Sequence, residues 1–492
     1  MRSVSVHSAT FVVALAVAAG AVVAYGSWQT TVALTIFGLV ATALVLSRAI
    51  LSVASRSGDA DETESAESRE LRVPRFFFYL GAGTIGLLTV RPAFALTASD
   101  WIFFACFGLT CLVLFTSRTE RHYLVPATIT VGVGLFALGG FISSFGAIGT
   151  IQSLSIVARL LYLTVVWFWL ATVLLETRRH VEIATGAWVA SAALSSAGAL
   201  AQVFYGDFIP GGDSSWGRMT GFTPHFNHLG GLVAIAFVPA LMLAIDSPRR
   251  QLRIFGTVIV GFLAAGLLLS GSVGGLLATV CSITFWIAIR GMTFQTGVRL
   301  AATAVAGATL VFALGATGDP IDRITRVTSA EEAAAGTGGT LYTRLDGYDE
   351  AWSRIAEQPL IGVGLDEESS QAVLGPKLVH NMLINQWFTA GILGLLGVVV
   401  IIWGVVVTGV RLVRESADDV RVLSTAFIAS LLAFVVFGMG EPILFVRYGW
   451  FPAALLVALH AQRRRAGATS AAGDFDSRRV MASPEHNLLA PP

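Results

Sequence analysis

The stretch Leu341-Tyr-Thr-Arg344-Leu-Asp-Gly-Tyr348-Asp-Glu-Ala-Trp352, running on through Pro359-Leu-Ile-Gly362-Val-Gly364 to Val379-His380-Asn381, is a polar exception in a chain of apolar runs. It is the second half of an excursion, 317–380, of roughly sixty residues between two membrane-length segments, and structureless loops of that length are uncommon unless they carry function. Within it Leu341, Leu345, Tyr348, Trp352 and Ile355 recur at helical spacing, which predicts an amphipathic helix over 341–357, ended by Gln358-Pro359. With its apolar stripe laid on a membrane surface, that helix would hold Arg344 at headgroup level. Residues 319–332 are expected to form a short surface helix and 336–340 a flexible joint.

Working outward, 55% of the chain is hydrophobic, 13% is charged, and the net charge is +1, the balance of a polytopic membrane protein rather than a nucleic-acid binder. Apolar runs able to cross about 30 Å of hydrocarbon number about fourteen. They fall near 9–26, 30–50, 76–95, 100–117, 123–142, 156–175, 183–205, 227–245, 253–269, 273–290, 297–316, 385–410, 420–438 and 443–461. The fold class expected is therefore all-α, a transmembrane helical bundle with a large, partly helical extracytoplasmic loop. Placing both termini in the cytoplasm makes every inner loop basic, as the positive-inside rule asks. The first run reads as a retained span rather than a cleaved signal.

The organisation that follows is two spans in 1–56, an acidic disordered linker at 57–74, and a transmembrane core at 75–316 with an outer loop at 206–226. After them come the excursion 317–380, C-terminal spans in 381–462 and a disordered cytoplasmic tail at 463–492. Cys106, Cys111 and Cys281 lie in apolar runs without metal-ligand spacing, and core packing is their expected role.

Outside the excursion, this topology leaves only Arg91, Arg159, Arg218 and Arg447 on the outer side. Arg159 and Arg447 sit about a turn inside their spans, where an arginine costs up to about 2.5–3.5 kcal/mol unless it faces a polar cavity or a partner. An outward-facing cationic chamber would accommodate them. The competing expectation is that they snorkel to lipid phosphates or pair with an acid such as Glu441. On spacing alone, Arg218 and Arg344 read as solvated loop charges, and His225 and His228 match no assignable role.

Three segments together resemble the O-antigen ligase and O-antigen polymerase superfamily of bacterial membrane glycosyltransferases. Gly217-Arg218-Met-Thr-Gly221-Phe222, followed by Asn227 at the start of a span, is similar to the family's Arg-x-x-Gly-Phe pattern. Arg344 to Trp352 with Pro359-Leu-Ile-Gly362-Val-Gly364 resembles its loop helix and Pro-x-x-Gly-x-Gly turn, and His380-Asn381 with Gly391-Ile-Leu-Gly394 resembles the span after the loop. One position departs from the pattern: Ser272-Val273-Gly274 stands where the family usually has Ser-Arg-Gly.

The resemblance implies a GT-C-like enzyme of the cell membrane. It would move a glycan from a polyprenyl-pyrophosphate donor to a glycan, lipid or protein acceptor on the outer face, among membrane lipids, with neither cofactor nor metal. It implies His380 as general base and Arg218, Arg344 and Arg159 as donor-binding residues, with Asn227, Asn381, Arg447 and Glu441 as secondary candidates. Other readings of the same features are a transporter or lipid-linked oligosaccharide flippase, and a metal-dependent transferase using Asp366 to Glu368 or Asp207 and Asp213.

Overall fold

A computed structural model describes residues 70–91, 96–117, 124–209, 211–212, 217–247, 249–290, 340–375 and 377–481. The expected spans at 9–26, 30–50 and 297–316, most of the acidic linker, the first part of the excursion and the end of the tail lie outside these residues. Among the described residues the chain is all-α with no strand.

The helices are α1 (Arg72–Ala82), α2 (Ala98–Ser117), α3 (Ala127–Phe145), α4 (Thr150–Leu174, with a π turn at Tyr162–Val166), α5 (Arg178–Tyr205), α6 (Phe226–Asp246) and α7 (Arg250–Ser270). They continue as α8 (Val273–Arg290), α9 (Thr340–Glu357), α10 (Glu367–Leu374), α11 (Met382–Glu415), α12 (Asp418–Gly438) and α13 (Arg447–Met481). Nine of the described helices are long and apolar enough to cross a membrane.

Two expectations differ here. The run 76–95 is not one span: α1 stops at Ala82, and the Gly86 N–H is taken by the Ser191 hydroxyl at 3.1 Å instead of a helical carbonyl. The residues from 463 to 481, whose composition reads as disordered, continue α13 as helix. An established helix propagates into alanine- and arginine-rich sequence without a new nucleation cost.

Depth in the bundle follows apolar content. From Leu229 to Leu243, α6 is apolar on every side, and it is buried throughout by α5, α7, α8, α12 and α13. The first part of α13, from Tyr448 to Leu459, is likewise buried. At the periphery, α2 and α8 leave Leu112, Phe115, Leu276 and Leu277 exposed, and Cys111 is exposed with them while Cys106 packs in the core.

The most extensive helix pair is α3 with α11. There a Cβ on Gly139 would stand 2.5 Å from the Gly394 nitrogen, and one on Gly397 would stand 2.3 Å from that of Phe136. Backbone contact of this kind supplies the dispersion that drives helix association in lipid.

What positions the loop is a break in α11. Gly391 has φ 69° and ψ −173°, which interrupts the helical ladder and releases backbone groups on either side. The Pro359–Gly364 turn takes them up: Val363 N–H donates to the Phe388 carbonyl and Gly364 N–H to that of Thr389, both at 3.0 Å, while Ile392 N–H donates to Pro359 O at 3.2 Å. The turn is thus hydrogen-bonded into the broken helix, as a buried backbone must be.

The predicted amphipathic helix is α9, but its stripe is divided. Ala351 and Ile355 pack with Leu374, Val379 and Phe388 against the start of α11, whereas Tyr342, Leu345 and Trp352 remain exposed. One face therefore rests on protein rather than on a membrane surface.

The two ends of the bundle differ in their charges. The starts of α2, α6, α11 and α13 and the ends of α7 and α12 share one end. Ion pairs at the opposite end link neighbouring helices: Arg290 with Asp246, Arg178 with Asp419, and Arg463, midway along α13, with Glu415.

Candidate active site

Glu441 lies in the short turn between α12 and α13, where Ile443 N–H donates to the Glu441 carbonyl at 2.8 Å and Trp450 Nε1 donates to Leu444 O at 2.6 Å. These bonds fix the turn that carries its side chain. That carboxylate, 15% exposed, is the point at which three distant segments meet. Its Oε1 accepts from Arg344 Nη2 at 3.0 Å and from the side-chain amide of Asn227, while its Oε2 faces His380 Nδ1 at 3.4 Å.

Arg344 reaches this point from α9 because Tyr348, one turn on, donates its hydroxyl to the His380 carbonyl at 2.9 Å. This bond ties the helix to the segment that leads into α11. His380 itself precedes Asn381, whose side-chain oxygen caps α11 by accepting from Leu383 and Ile384 N–H at 2.9 and 3.1 Å. Asn381 is accordingly a helix cap that fixes the residue before it.

Arg218 enters from the loop ahead of α6. Gln202 on α5 holds that loop, its buried amide oxygen accepting from Thr220 and Gly221 N–H at 3.0 and 2.8 Å. The guanidinium then donates through Nε to Ser270 O at 2.8 Å and through Nη2 to Asn227 Oδ1 at 2.9 Å, and stacks 3.4 Å over the Phe226 ring. Because Arg218 occupies the Asn227 oxygen, the amide nitrogen of Asn227 is left to donate to Glu441. Asn227 therefore links Arg218 to the carboxylate. Arg218 thereby reaches the end of α7 at the Ser270 carbonyl.

The result is a connected set: Arg218, Asn227, Glu441, and from Glu441 both Arg344 and His380. Burial would raise the Glu441 carboxyl, but the His380 hydrogen bond and the nearby His380, Arg344 and His228 outweigh it and hold it below the usual glutamate value. The carboxylate faces the Arg344 guanidinium directly and is linked through Asn227 to that of Arg218. Among the described residues no hydrogen bond engages His380 Nε2. The set offers anion-binding groups beside a base with one free nitrogen.

The remaining candidates stand elsewhere. Arg447 forms a two-pronged ion pair with Asp100, with Nε to Oδ1 at 2.7 Å and Nη2 on Oδ2, both side chains being nearly inaccessible. Its partner is thus Asp100 rather than Glu441. Asp100 also accepts from Thr97 N–H and hydroxyl at 2.8 and 2.9 Å, which completes its coordination. Arg159 has Arg447, Asp100 and Arg91 as its electrostatic neighbours and does not join the Glu441 set. Arg91 lies within electrostatic range of both Arg159 and His228.

His225 caps α6, its Nδ1 accepting from Asn227 N–H at 3.2 Å, and His228 Nδ1 lies 3.2 Å from the Tyr448 hydroxyl. Both histidines take structural positions beside the site.

Asp366, the first of three consecutive acids, is buried. It caps α10 through Ser369 N–H at 2.9 Å and binds Gly149 N–H at 3.1 Å across to the α3–α4 corner. Those hydrogen bonds outweigh its burial and hold its carboxyl below the ordinary range. Its oxygens are occupied, and only Glu367 and Glu368 are exposed.

Sequence reasoning did not find Asp100 or Gln202, and named Glu441 only as a secondary candidate and a possible partner for Arg159 or Arg447. A lone acid at the edge of an apolar run was the available signal for both carboxylates.

Comparison with known proteins places part of this assembly in a family. The O-antigen ligase family matches residues 258–399, which include Arg344, His380 and the Gly391 break, while Arg218, Asn227 and Glu441 lie outside the match. No curated protein matches the chain.

Proposed function

We propose that this chain, whose residues 258–399 match the O-antigen ligase family, transfers a glycan from a polyprenyl-pyrophosphate donor to an acceptor hydroxyl on the outer face of the cell membrane, in the assembly of cell-surface polysaccharide. The observation that carries the reading is the meeting of Arg344 and His380 at Glu441, with Arg218 joined to it through Asn227, from segments far apart in the chain.

In the reaction, the acceptor oxygen bonds to the anomeric carbon as the bond from that carbon to the phosphate oxygen breaks. The polyprenyl pyrophosphate leaves with the electron pair. Negative charge grows on its oxygens, and Arg218 and Arg344, held in place before the donor arrives, stabilise it there. The acceptor proton passes to His380 Nε2 and from there to solvent. Arg159 and Arg91 add positive charge on the adjoining side, where Arg447 is neutralised by Asp100. No step requires a metal.

The reading is tested on His380. His380→Ala, at matched membrane levels in cells lacking the native protein, should lower product formation by a factor on the order of 10²–10⁴, the usual worth of a positioned base. His380→Gln can hydrogen-bond but cannot take the proton, and should be about as impaired. A fully active His380→Gln enzyme would refute the assignment. The glycans that accumulate without the protein identify the acceptor class: single repeats on the carrier mean polymerase, and long unattached chains mean ligase.

A further inference from the structure

We propose that Glu441 is a positioning residue for His380: by accepting Nδ1–H on Oε2, it fixes the tautomer in which Nε2 is bare and turned to the acceptor, while Oε1 remains engaged with Arg344 and Asn227. The inference rests on the transferase reading above and assigns the group that makes His380 a base.

Three observations support it. First, the two carboxylate oxygens are divided. Asn227 and Arg344 both donate to Oε1, and the oxygen left over is the one that meets the imidazole at 3.4 Å. Catalytic hydrogen bonds are commonly long before substrate binds and shorten in the reactive complex. Second, the imidazole has little freedom to choose another partner: the His380 carbonyl is held by the Tyr348 hydroxyl at 2.9 Å, and the next residue is fixed as the α11 cap. Third, Glu441 is mostly buried and ionised, so it faces the imidazolium formed by proton transfer with a negative charge in a poorly solvated place.

The same arrangement couples the base to the donor grip. An anionic pyrophosphate arriving at Arg344 competes with Oε1 for the guanidinium, and the carboxylate can then bear more fully on His380. Donor binding would tighten the contact that prepares the base.

The alternative role for Glu441 is a counter-ion that only neutralises Arg344. Glu441→Gln separates the two. The Gln side chain keeps its oxygen toward the donors Arg344 and Asn227, so its NH₂ faces His380 Nδ1. Nδ1 must then accept, the proton moves to Nε2, and that nitrogen can no longer take one from the acceptor.

Three measurements on the full-length protein test the proposal: product formation in cells at matched membrane levels, binding of farnesyl pyrophosphate to the purified protein, and a double-mutant cycle with His380→Ala. Glu441→Gln should bind farnesyl pyrophosphate at least as tightly as the native protein yet lower product formation on the order of 10²-fold, and Glu441→Asp, which retains the charge, should recover at least about tenfold of that loss. In the His380→Ala background, Glu441→Gln should cost nothing further. The same loss in both backgrounds would overturn the positioning role and leave the base assignment standing, as would a Gln variant as active as the native protein. Wild-type activity in His380→Ala alone would instead overturn the transferase reading from which the inference starts.

Discussion

Gly391→Ala tests whether the break in α11 is what holds the site's loop. At φ 69° and ψ −173°, a residue with a Cβ is strained by about 1–3 kcal/mol. The added Cβ would also stand 2.3 Å from Leu360 O, 2.8 Å from Leu360 C and 3.0 Å from Gly362 N, all backbone atoms that cannot rotate away. Relief requires the 359–364 turn to move, and with it go three hydrogen bonds worth about 0.5–1.5 kcal/mol each, or roughly 2–4 kcal/mol together. The sum, roughly 3–7 kcal/mol, is a large part of a typical folding free energy of about 5–15 kcal/mol.

Hydrogen–deuterium exchange read by mass spectrometry on detergent-solubilised protein is the assay. Amides 363, 364 and 392 should exchange faster than in the native protein by at least about 10²-fold, since each 1.4 kcal/mol is tenfold in the opening equilibrium. Gly134→Ala, on an exposed face of α3 where nothing lies within 4 Å of the new Cβ, is the control and should leave those amides unchanged. Unaltered exchange at all three amides in Gly391→Ala would refute the account of the break.

Arg218→Ala and Arg344→Ala should both impair donor use severely, and lysine at either position should restore only part of it. Lysine cannot make the separate Nε and Nη2 contacts of Arg218, and it offers a pyrophosphate a point charge in place of a fork; near-normal turnover by both alanine variants would exclude the donor site. Asp100→Ala leaves Arg447 buried without its partner and should destabilise by about 3–5 kcal/mol in thermal unfolding, whereas Asp100→Leu with Arg447→Met should recover much of the loss; an unchanged melting temperature for the single variant would contradict a structural role for the pair. With the native cysteines replaced, a cysteine at Gln371 should react with an impermeant maleimide in intact cells and one at Ala466 only after the membrane is opened, and the reverse pattern would overturn the proposed side of the reaction.

Class and periodicity were legible in the chain because they are one-dimensional. Long apolar runs have one inexpensive solution in lipid, a helix that satisfies its own backbone, and so the nine described membrane-length helices, α2 to α8 with α11 and α12, fall close to where hydropathy puts them. The same logic found α9 from the spacing of Leu341 to Ile355 and its end from Pro359. The motif residues Arg218, Arg344 and His380 were legible as candidates, because polar and cationic residues at the ends of apolar runs need a reason to be there.

What the sequence alone could not decide was partnership. Arg447 and Glu441 lie six residues apart on one turn, yet Arg447 pairs with Asp100 from another helix while Glu441 collects Arg344, Asn227 and His380. Asp366 carries the local signature of a solvated acid, and is buried because Gly149 and Ser369 supply its hydrogen bonds. Apolar periodicity tells which face of a helix turns inward, but a charge is settled by whichever distant group completes its hydrogen bonds at a separation of about 3 Å. Those pairings depend on how helix ends from across the chain come together, and only the tertiary structure fixes that.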